Sequence, residues 1–107
     1  MIITGSNDQR RVTVLNLGEN PELDSCDVVV ELPSGERLGA TFFTQSYVAM
    51  LMEKNRRTGE FASGKYLWAA NMIIVERLDV NVIEATVDDL LSDGQLHLAF
   101  MTLQPLG

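Results

Sequence analysis

Between Gly59 and Tyr66 the chain reads Gly-Glu-Phe-Ala-Ser-Gly-Lys-Tyr, which misses the phosphate-binding loop pattern Gly-x-x-x-x-Gly-Lys-Ser/Thr at its last position. That loop works because backbone amides at a helix N-terminus cradle a phosphate while a small hydroxyl reaches the magnesium ion. Tyr66 is too large for the hydroxyl role. The flanking patterns also run in the wrong order, helix then loop then strand, where the motif requires strand, loop, helix. Nucleotide binding is therefore rejected, and no cofactor site is expected.

Cys26 and His97 are the chain's only thiol and only imidazole. A zinc site takes three or four ligands, so this pair cannot lead one. A thiol–imidazole dyad for nucleophilic catalysis would need Cys26 to ionise readily. It sits instead in Leu23-Asp24-Ser25-Cys26-Asp27, whose carboxylates oppose a thiolate. Packing or surface filling is the expectation for both residues. With no nucleophile, base and orienter together, no catalytic residue is assigned.

Acidic residues gather in two places. Glu19, Glu22, Asp24 and Asp27 fall in an early loop and at its exit, and Glu84, Asp88, Asp89 and Asp93 belong to a helical pattern near the C-terminus. Adjacent helical residues point about 100° apart, so Asp88 and Asp89 do not converge on a metal. A solvated face is the first reading and a docking face for a basic partner the second. Among the aromatics, Tyr66 and Trp68 share one face at strand spacing. A core position is favoured for them because aromatics dominate core burial, with an exposed protein-binding anchor as the alternative.

The elements that must position these residues follow from periodicity. Residues 1–10 are polar after Ile3 and are expected to fray. Arg11–Leu17 alternates as a strand, and Gly18–Glu22 is a turn cluster. Asp27–Leu32 and Arg37–Phe43, joined through Pro33-Ser34-Gly35-Glu36, predict a β-hairpin with Leu38, Ala40 and Phe42 on one face. Thr44 is placed to cap a helix with an apolar stripe of Val48, Leu51, Met52 and Asn55, closed by Gly59. Tyr66–Ala69 and Met72–Val75 read as one long or two short strands, the second apolar on both faces and hence central or at an interface. Asp79 caps a second helix with the stripe Ile83, Val87, Leu90 and Leu91, ended by Gly94. Gln95–Leu103 alternates as a last strand, and Pro105 ends regular structure. The order β-β-β-α-β-α-β predicts one α+β domain over residues 1–107, with a mixed or antiparallel sheet of five strands or so and two helices packed on it.

The 107 residues carry 8 Lys and Arg against 15 Asp and Glu, a formal net charge of −7. Such a surface repels phosphate backbones and anionic lipid, so neither nucleic acid nor membrane is an expected partner. No signal peptide pattern is visible at the N-terminus, and the longest apolar run, Met72–Val75, is far short of the ~20 residues that span a bilayer. A single cysteine excludes an internal disulfide. A cytoplasmic protein is the resulting expectation.

Leu51-Met52-Glu53-Lys54, Arg57-Thr58-Gly59-Glu60 and Gly64-Lys65-Tyr66-Leu67-Trp68-Ala69-Ala70-Asn71-Met72-Ile73-Ile74-Val75 together resemble a group of short bacterial proteins. Those proteins combine a helix, a Gly-x-Tyr-Phe-Trp-Ala segment and an aliphatic strand. In size and acidity they are similar to immunity proteins of contact-dependent and other polymorphic toxin systems. Leu67 stands where the pattern has Phe, a conservative packing change. Asn71 stands where it has Asp, which removes a charge. The resemblance implies an inhibitor that binds a toxin or effector protein in the cytoplasm. Many such targets act on nucleic acids through basic clefts, which an acidic surface complements. The alternative is a structural or regulatory homo-oligomer, such as a homodimer joined through the two-sided strand Met72–Val75.

Overall fold

In the computed structural model of the protein, residues 2–17 and 24–103 are described. Alternating small β-branched and polar residues build a twisted ribbon of consecutive hairpins. β1 (Ile2–Ser6), β2 (Arg11–Leu15), β3 (Ser25–Glu31) and β4 (Arg37–Thr44) pair in sequence order, each antiparallel to the last. The registers Val12↔Val30, Val14↔Val28, Val28↔Ala40, Val30↔Leu38 and Cys26↔Phe42 put all these apolar side chains on one face. The β3–β4 hairpin expected from Pro33-Ser34-Gly35-Glu36 is present. Gly35 takes φ +92°, a conformation that costs Gly no Cβ clash, and its N–H donates to Leu32 O at 2.9 Å.

Within the stretch expected to fray, Ile2–Ser6 forms a strand. Ile2–Ser6 pairs residue for residue with Leu15–Arg11. The reversal between them is organised by Asn7, whose Oδ1 accepts from the amides of Gln9 (2.8 Å) and Arg10 (3.0 Å). This local side-chain turn is the kind Asn favours, and polar composition concealed it.

β4 is the hub of the sheet. One edge pairs with β3, and the other is shared end to end by two short strands. β5 (Met72–Val75) runs parallel to Thr41–Thr44, and β6 (Met101–Leu103) runs antiparallel to Arg37–Gly39. The sheet is therefore mixed and six-stranded, with β5 bonded to β4 alone among the described strands. The expectation of a central β5 is thus corrected: it lies at the rim. A strand through Tyr66–Ala69 does not form either. Continued backward in register, Ala70 and Trp68 would lie opposite Gly39 and Arg37, places already held by Met101 and Leu103. Asn71, at φ 52°, turns the chain away, and its Nδ2 donates to Ala99 O at 3.2 Å.

The apolar face of the sheet is covered by α3 (Val80–Ser92) and α4 (Leu96–Ala99). Asp79 caps α3, its carboxylate accepting from Val82 N at 2.8 Å. Ile83 and Val87, four residues apart on one stripe, are fully buried against Val12, Val14, Val28, Val30, Leu38 and Phe42. Phe100 meets Phe42 edge to face, with centroids 6.1 Å apart. Burying each such ring stabilises the fold by about 1.5–3 kcal/mol. The strand expected over Gln95–Leu103 is only half right. Leu96 and Phe100 are spaced i, i+4 as well as alternately, and a helical turn buries both: Phe100 N donates to Leu96 O at 2.9 Å while Leu98 points outward.

α1 (Gln45–Thr58) begins and ends as its sequence requires. The Thr44 hydroxyl accepts from Tyr47 N at 3.2 Å, and Gly59 at φ 86° donates its N–H to Asn55 O at 2.9 Å. α1 nevertheless supplies no residue to the main core cluster. Tyr47 stacks on Phe43, which points away from the core, and the helix folds against the segment that follows it. That segment opens with a left-handed turn, α2 (Glu60–Gly64), in which Phe61, Ala62 and Ser63 have φ of 53°, 52° and 57°. Gly64 then approaches the α1 backbone closely and Lys65–Ala70 continues toward β5. We refer to Gln45–Asn71 as the arm. The radius of gyration is 14.8 Å, against about 13 Å for a compact domain of this length, in keeping with a unit outside the core.

Candidate functional site

The acidic stripe of α3 is anchored by a residue that sequence reasoning passed over. Arg10 leaves the β1–β2 turn and enters a pocket beside α3, where its side chain is only 4% exposed. Its Nε and Nη2 donate to Asp88 Oδ1 and Oδ2 at 2.8 and 2.9 Å, and its Nη1 donates to Glu84 Oε1 at 3.0 Å. The hydrogen bond from Arg10, more than its charge, holds the Asp88 carboxyl below the usual carboxylate range in spite of partial burial. The same bond raises the Arg10 pKa. Half of this site was legible: Glu84 and Asp88 lie i, i+4, so α3 presents two carboxylates on one face to any arginine that reaches them. That the arginine comes from 74 or more residues earlier was not.

Asp89 and Asp93 do not join the cluster. Both are exposed and carry no ion pair among the described residues. Asp89 lies on the other flank of α3, beside Ile74 and Glu76 at the β5 edge, whereas Glu84 reaches Gly5 of β1.

In the early acidic group, Glu19 and Glu22 lie outside the described residues, as does the whole Gly18–Glu22 turn. Asp24 is a structural partner: its carboxylate accepts from the Thr44 hydroxyl, and its carbonyl from Thr44 N at 3.3 Å. One Thr side chain thus caps α1 and ties β3's entry to β4's exit. Asp27 is exposed on the opposite sheet face from Cys26 and accepts from Asn16 Nδ2 at 2.9 Å and Thr41 Oγ1 at 3.2 Å. Asp24 and Asp27 are thus separate from the α3 group, with Asp27 on the face that α3 does not cover.

Cys26 and His97 stand apart. Cys26 is buried at the far end of β3 from the hairpin turn, and its thiol is pushed up to about 11, first by burial and then by Asp27 and Asp24. His97 projects from α4 to Glu36 in that turn, Nε2 to Oε1 at 2.8 Å. The five residues of β3 between Cys26 and the turn span about 16 Å. Among the described residues no group of three or more His, Cys, Asp and Glu could hold a metal ion. The Gly59–Tyr66 segment is a helix end, a left-handed turn and an extended strap, so no helix N-terminus faces a phosphate there.

The aromatics are placed opposite to the favoured expectation. Tyr66 and Trp68 share a face, but that face is open: they are 50% and 65% exposed, while Leu67 and Ala69 turn inward. Periodicity identified the shared face, and only the tertiary structure shows that it is exposed. Phe61 stacks on Tyr66 at 5.4 Å. The arm also holds half of the chain's cations: Lys54, Arg56, Arg57 and Lys65 stand against Glu53 and Glu60, net +2, which leaves −9 for the remainder.

No helix among the described residues is long and apolar enough to cross a membrane. The chain matches no protein-family model, and no curated protein and no solved structure matches it.

Proposed function

We propose that this protein is a non-catalytic, cytoplasmic inhibitor that binds another protein, of the immunity type, and that the partner presents a basic surface. The reading rests on the separation of charge. The body beyond the arm carries −9, and the exposed Asp89 and Asp93 have no ion pair among the described residues, whereas Arg10 partly neutralises Glu84 and Asp88 on the other flank of α3. Such a surface raises encounter rates with a basic domain and repels nucleic acid, so it competes for a basic cleft without binding the cleft's own substrate. The resemblance of the Gly64–Val75 segment to short bacterial immunity-like proteins points the same way.

The test is affinity capture from the native host at low salt, followed by association kinetics with the partner recovered. A single basic protein is expected, with an on-rate that falls steeply as ionic strength rises and falls again in Asp89→Lys/Asp93→Lys. The partner's toxic activity should drop when the two are mixed. An on-rate independent of salt and of these substitutions sinks the electrostatic docking mode, and undiminished partner activity sinks the inhibitor reading.

A further inference from the structure

β5 has one edge on β4 and one edge without a strand among the described residues. The register Thr41↔Met72 and Phe43↔Ile74, with Thr41 N donating to Asn71 O at 3.1 Å, fixes which of its backbone groups face β4. In a parallel ladder set this way, Ile73 and Val75 turn their N–H groups inward to β4. The N–H and C=O of Met72 and Ile74 therefore point outward, and they have no hydrogen-bond partner among the described residues. Exposed edges are ordinarily blunted by Lys, Pro or a covering segment. Met72-Ile73-Ile74-Val75 contains neither Lys nor Pro, and Ile74 is 50% exposed.

A groove of about 490 Å³ runs beside this edge on the α3 side, between Val75 and Glu76 and the helix residues Val82, Ala85, Thr86 and Asp89. Four strand residues span about 13 Å and Val82–Asp89 about 11 Å of helix axis, so edge and groove match in length. The charge here is acidic. Asp89 has no ion pair among the described residues, and Glu76 shares Arg77 with Asp79.

We propose that β5 is a docking edge, to which the protein partner adds an extended, basic segment as a further strand. Alternate apolar side chains of that segment enter the groove against Val82 and Ala85, and a Lys or Arg reaches Asp89. The backbone dictates the extended form. A strand satisfies the outward groups of Met72 and Ile74 together, whereas a helix has spent its own amides and carbonyls internally. The carboxylates dictate the sign. They also disfavour a second copy of this chain: β5 against β5 about a two-fold axis brings Glu76 and Asp89 of both copies to one seam, in a molecule of net charge −7. This docking mode rests on the basic-partner reading above and assigns it an edge and a groove.

The probe is a displayed library of random peptides. Selected peptides should alternate apolar residues with Lys or Arg and lack Pro at their centre. Titrated into the isotope-labelled protein, such a peptide should slow amide exchange at Met72 and Ile74 and leave Ile73 and Val75, already bonded to β4, as they were. Ile74→Pro removes an outward N–H and no internal hydrogen bond, so it should fold and bind no peptide. Ala85→Lys, at an exposed helix position, puts a cation in the groove and should also abolish binding. Asp89→Lys should weaken it by about tenfold, one attraction being replaced by a repulsion. The proposal is overturned if no peptide is selected, if the peptides are not basic, if protection does not alternate along β5, or if binding survives both Ile74→Pro and Ala85→Lys. Protection of Met72 and Ile74 that grows with protein concentration alone assigns the edge to a second copy and overturns it too. A captured partner that is inhibited without slowing these two amides removes this docking mode and leaves the inhibitor reading standing. Peptide addition at β5 with no effect on any partner's activity does the reverse.

Discussion

Arg10 and Asp88 are joined by two parallel hydrogen bonds, Nε to Oδ1 at 2.8 Å and Nη2 to Oδ2 at 2.9 Å, across 78 residues of sequence. The pairing fixes the β1–β2 hairpin to α3, and Glu84 completes it from the next turn of the helix. A guanidinium matches a carboxylate in this forked geometry, and Lys cannot reproduce it. Arg10 itself is buried, whereas Asp88 keeps 46% of its side chain exposed. The desolvation cost falls mainly on the arginine, and solvent screens part of the attraction.

Removing the guanidinium should loosen the hairpin. Arg10→Ala leaves Glu84 and Asp88 facing each other without a cation and opens space beside α3. The expected loss is about 2 kcal/mol, below that for a fully buried pair because both acids reach water. Arg10→Lys should recover only part of it. Urea denaturation measures the loss, and a double-mutant cycle with Asp88→Ala isolates the pairwise part. A loss below about 0.5 kcal/mol, within the scatter of ordinary surface changes, means that the hairpin is held by its strand pairing alone.

The same pair sets an acid limit on stability. Asp88 binds its proton less readily in the folded state than in the unfolded one, because Arg10 donates to its carboxylate. The unfolded chain therefore takes up protons first as pH falls. The contribution is fully present above the ordinary value of 3.8 and is lost as pH drops through the lower folded value. Asp79, lowered by the Val82 amide and then by Arg77, adds in the same direction. Denaturation midpoints between roughly pH 5 and pH 2 should decline in the native chain. The decline should be shallower in Arg10→Met, where Asp88 no longer has a reason to remain ionised. Equal slopes in the two proteins contradict this assignment.

Cys26 should be chemically silent until the protein unfolds. Its thiol is raised to about 11, first by burial and then by the neighbouring Asp27 and Asp24 carboxylates. At pH 8 roughly one thiol in a thousand is ionised, and the side chain is covered as well. Iodoacetamide should leave the native protein unmodified over hours and label it rapidly in urea. Since the folded state disfavours the thiolate, stability should also fall as pH climbs from the ordinary thiol value of 9.0 toward 11. Rapid labelling without denaturant means that the β3–β4 end of the sheet opens in the native state.

What the sequence disclosed divides along the range of the interactions. Thr44, Gly59 and Asp79 satisfy helix ends through partners three or four residues away, so residue type alone identified them. The β3–β4 hairpin is equally local. Arg10 could not be found in this way, because its partners are fixed only once α3 has packed on the sheet. Nor could the fate of Tyr66–Ala69, whose place beside β4 is taken by a strand 30 or more residues later. Leu96-His97-Leu98-Ala99-Phe100 satisfies both a strand period and a helical i, i+4 pair, and burial of Leu96 and Phe100 together decided for the helix. For the candidate surfaces the limit is similar. Spacing groups Tyr66 with Trp68 and Glu84 with Asp88, but whether a group faces solvent, the core or a hidden arginine is a property of the assembled fold.

The arm should prove separable from the sheet. Gly64 sits at φ +78°, and a Cβ there would lie 2.4 Å from Met52 O and 2.8 Å from Arg56 Cγ. Two penalties follow for Gly64→Ala. A left-handed backbone costs an L-residue about 1–2 kcal/mol, and the clash with α1 backbone cannot be relieved by rotating a side chain. The strap must therefore lift from α1 at Met52 and Arg56. Because α1 contributes nothing to the main core cluster, the disruption should stop at the arm. Hydrogen exchange resolves the two regions. In the native chain, amides of α1 should exchange faster than those of β3 and β4, as expected of a unit with few buried apolar contacts. In Gly64→Ala, protection should collapse across residues 45–70 while β2, β3 and β4 keep theirs. Protection lost in equal measure across the sheet means instead that arm and sheet fold as one cooperative unit, joined through Tyr47 on Phe43 and through Asn71 to Ala99.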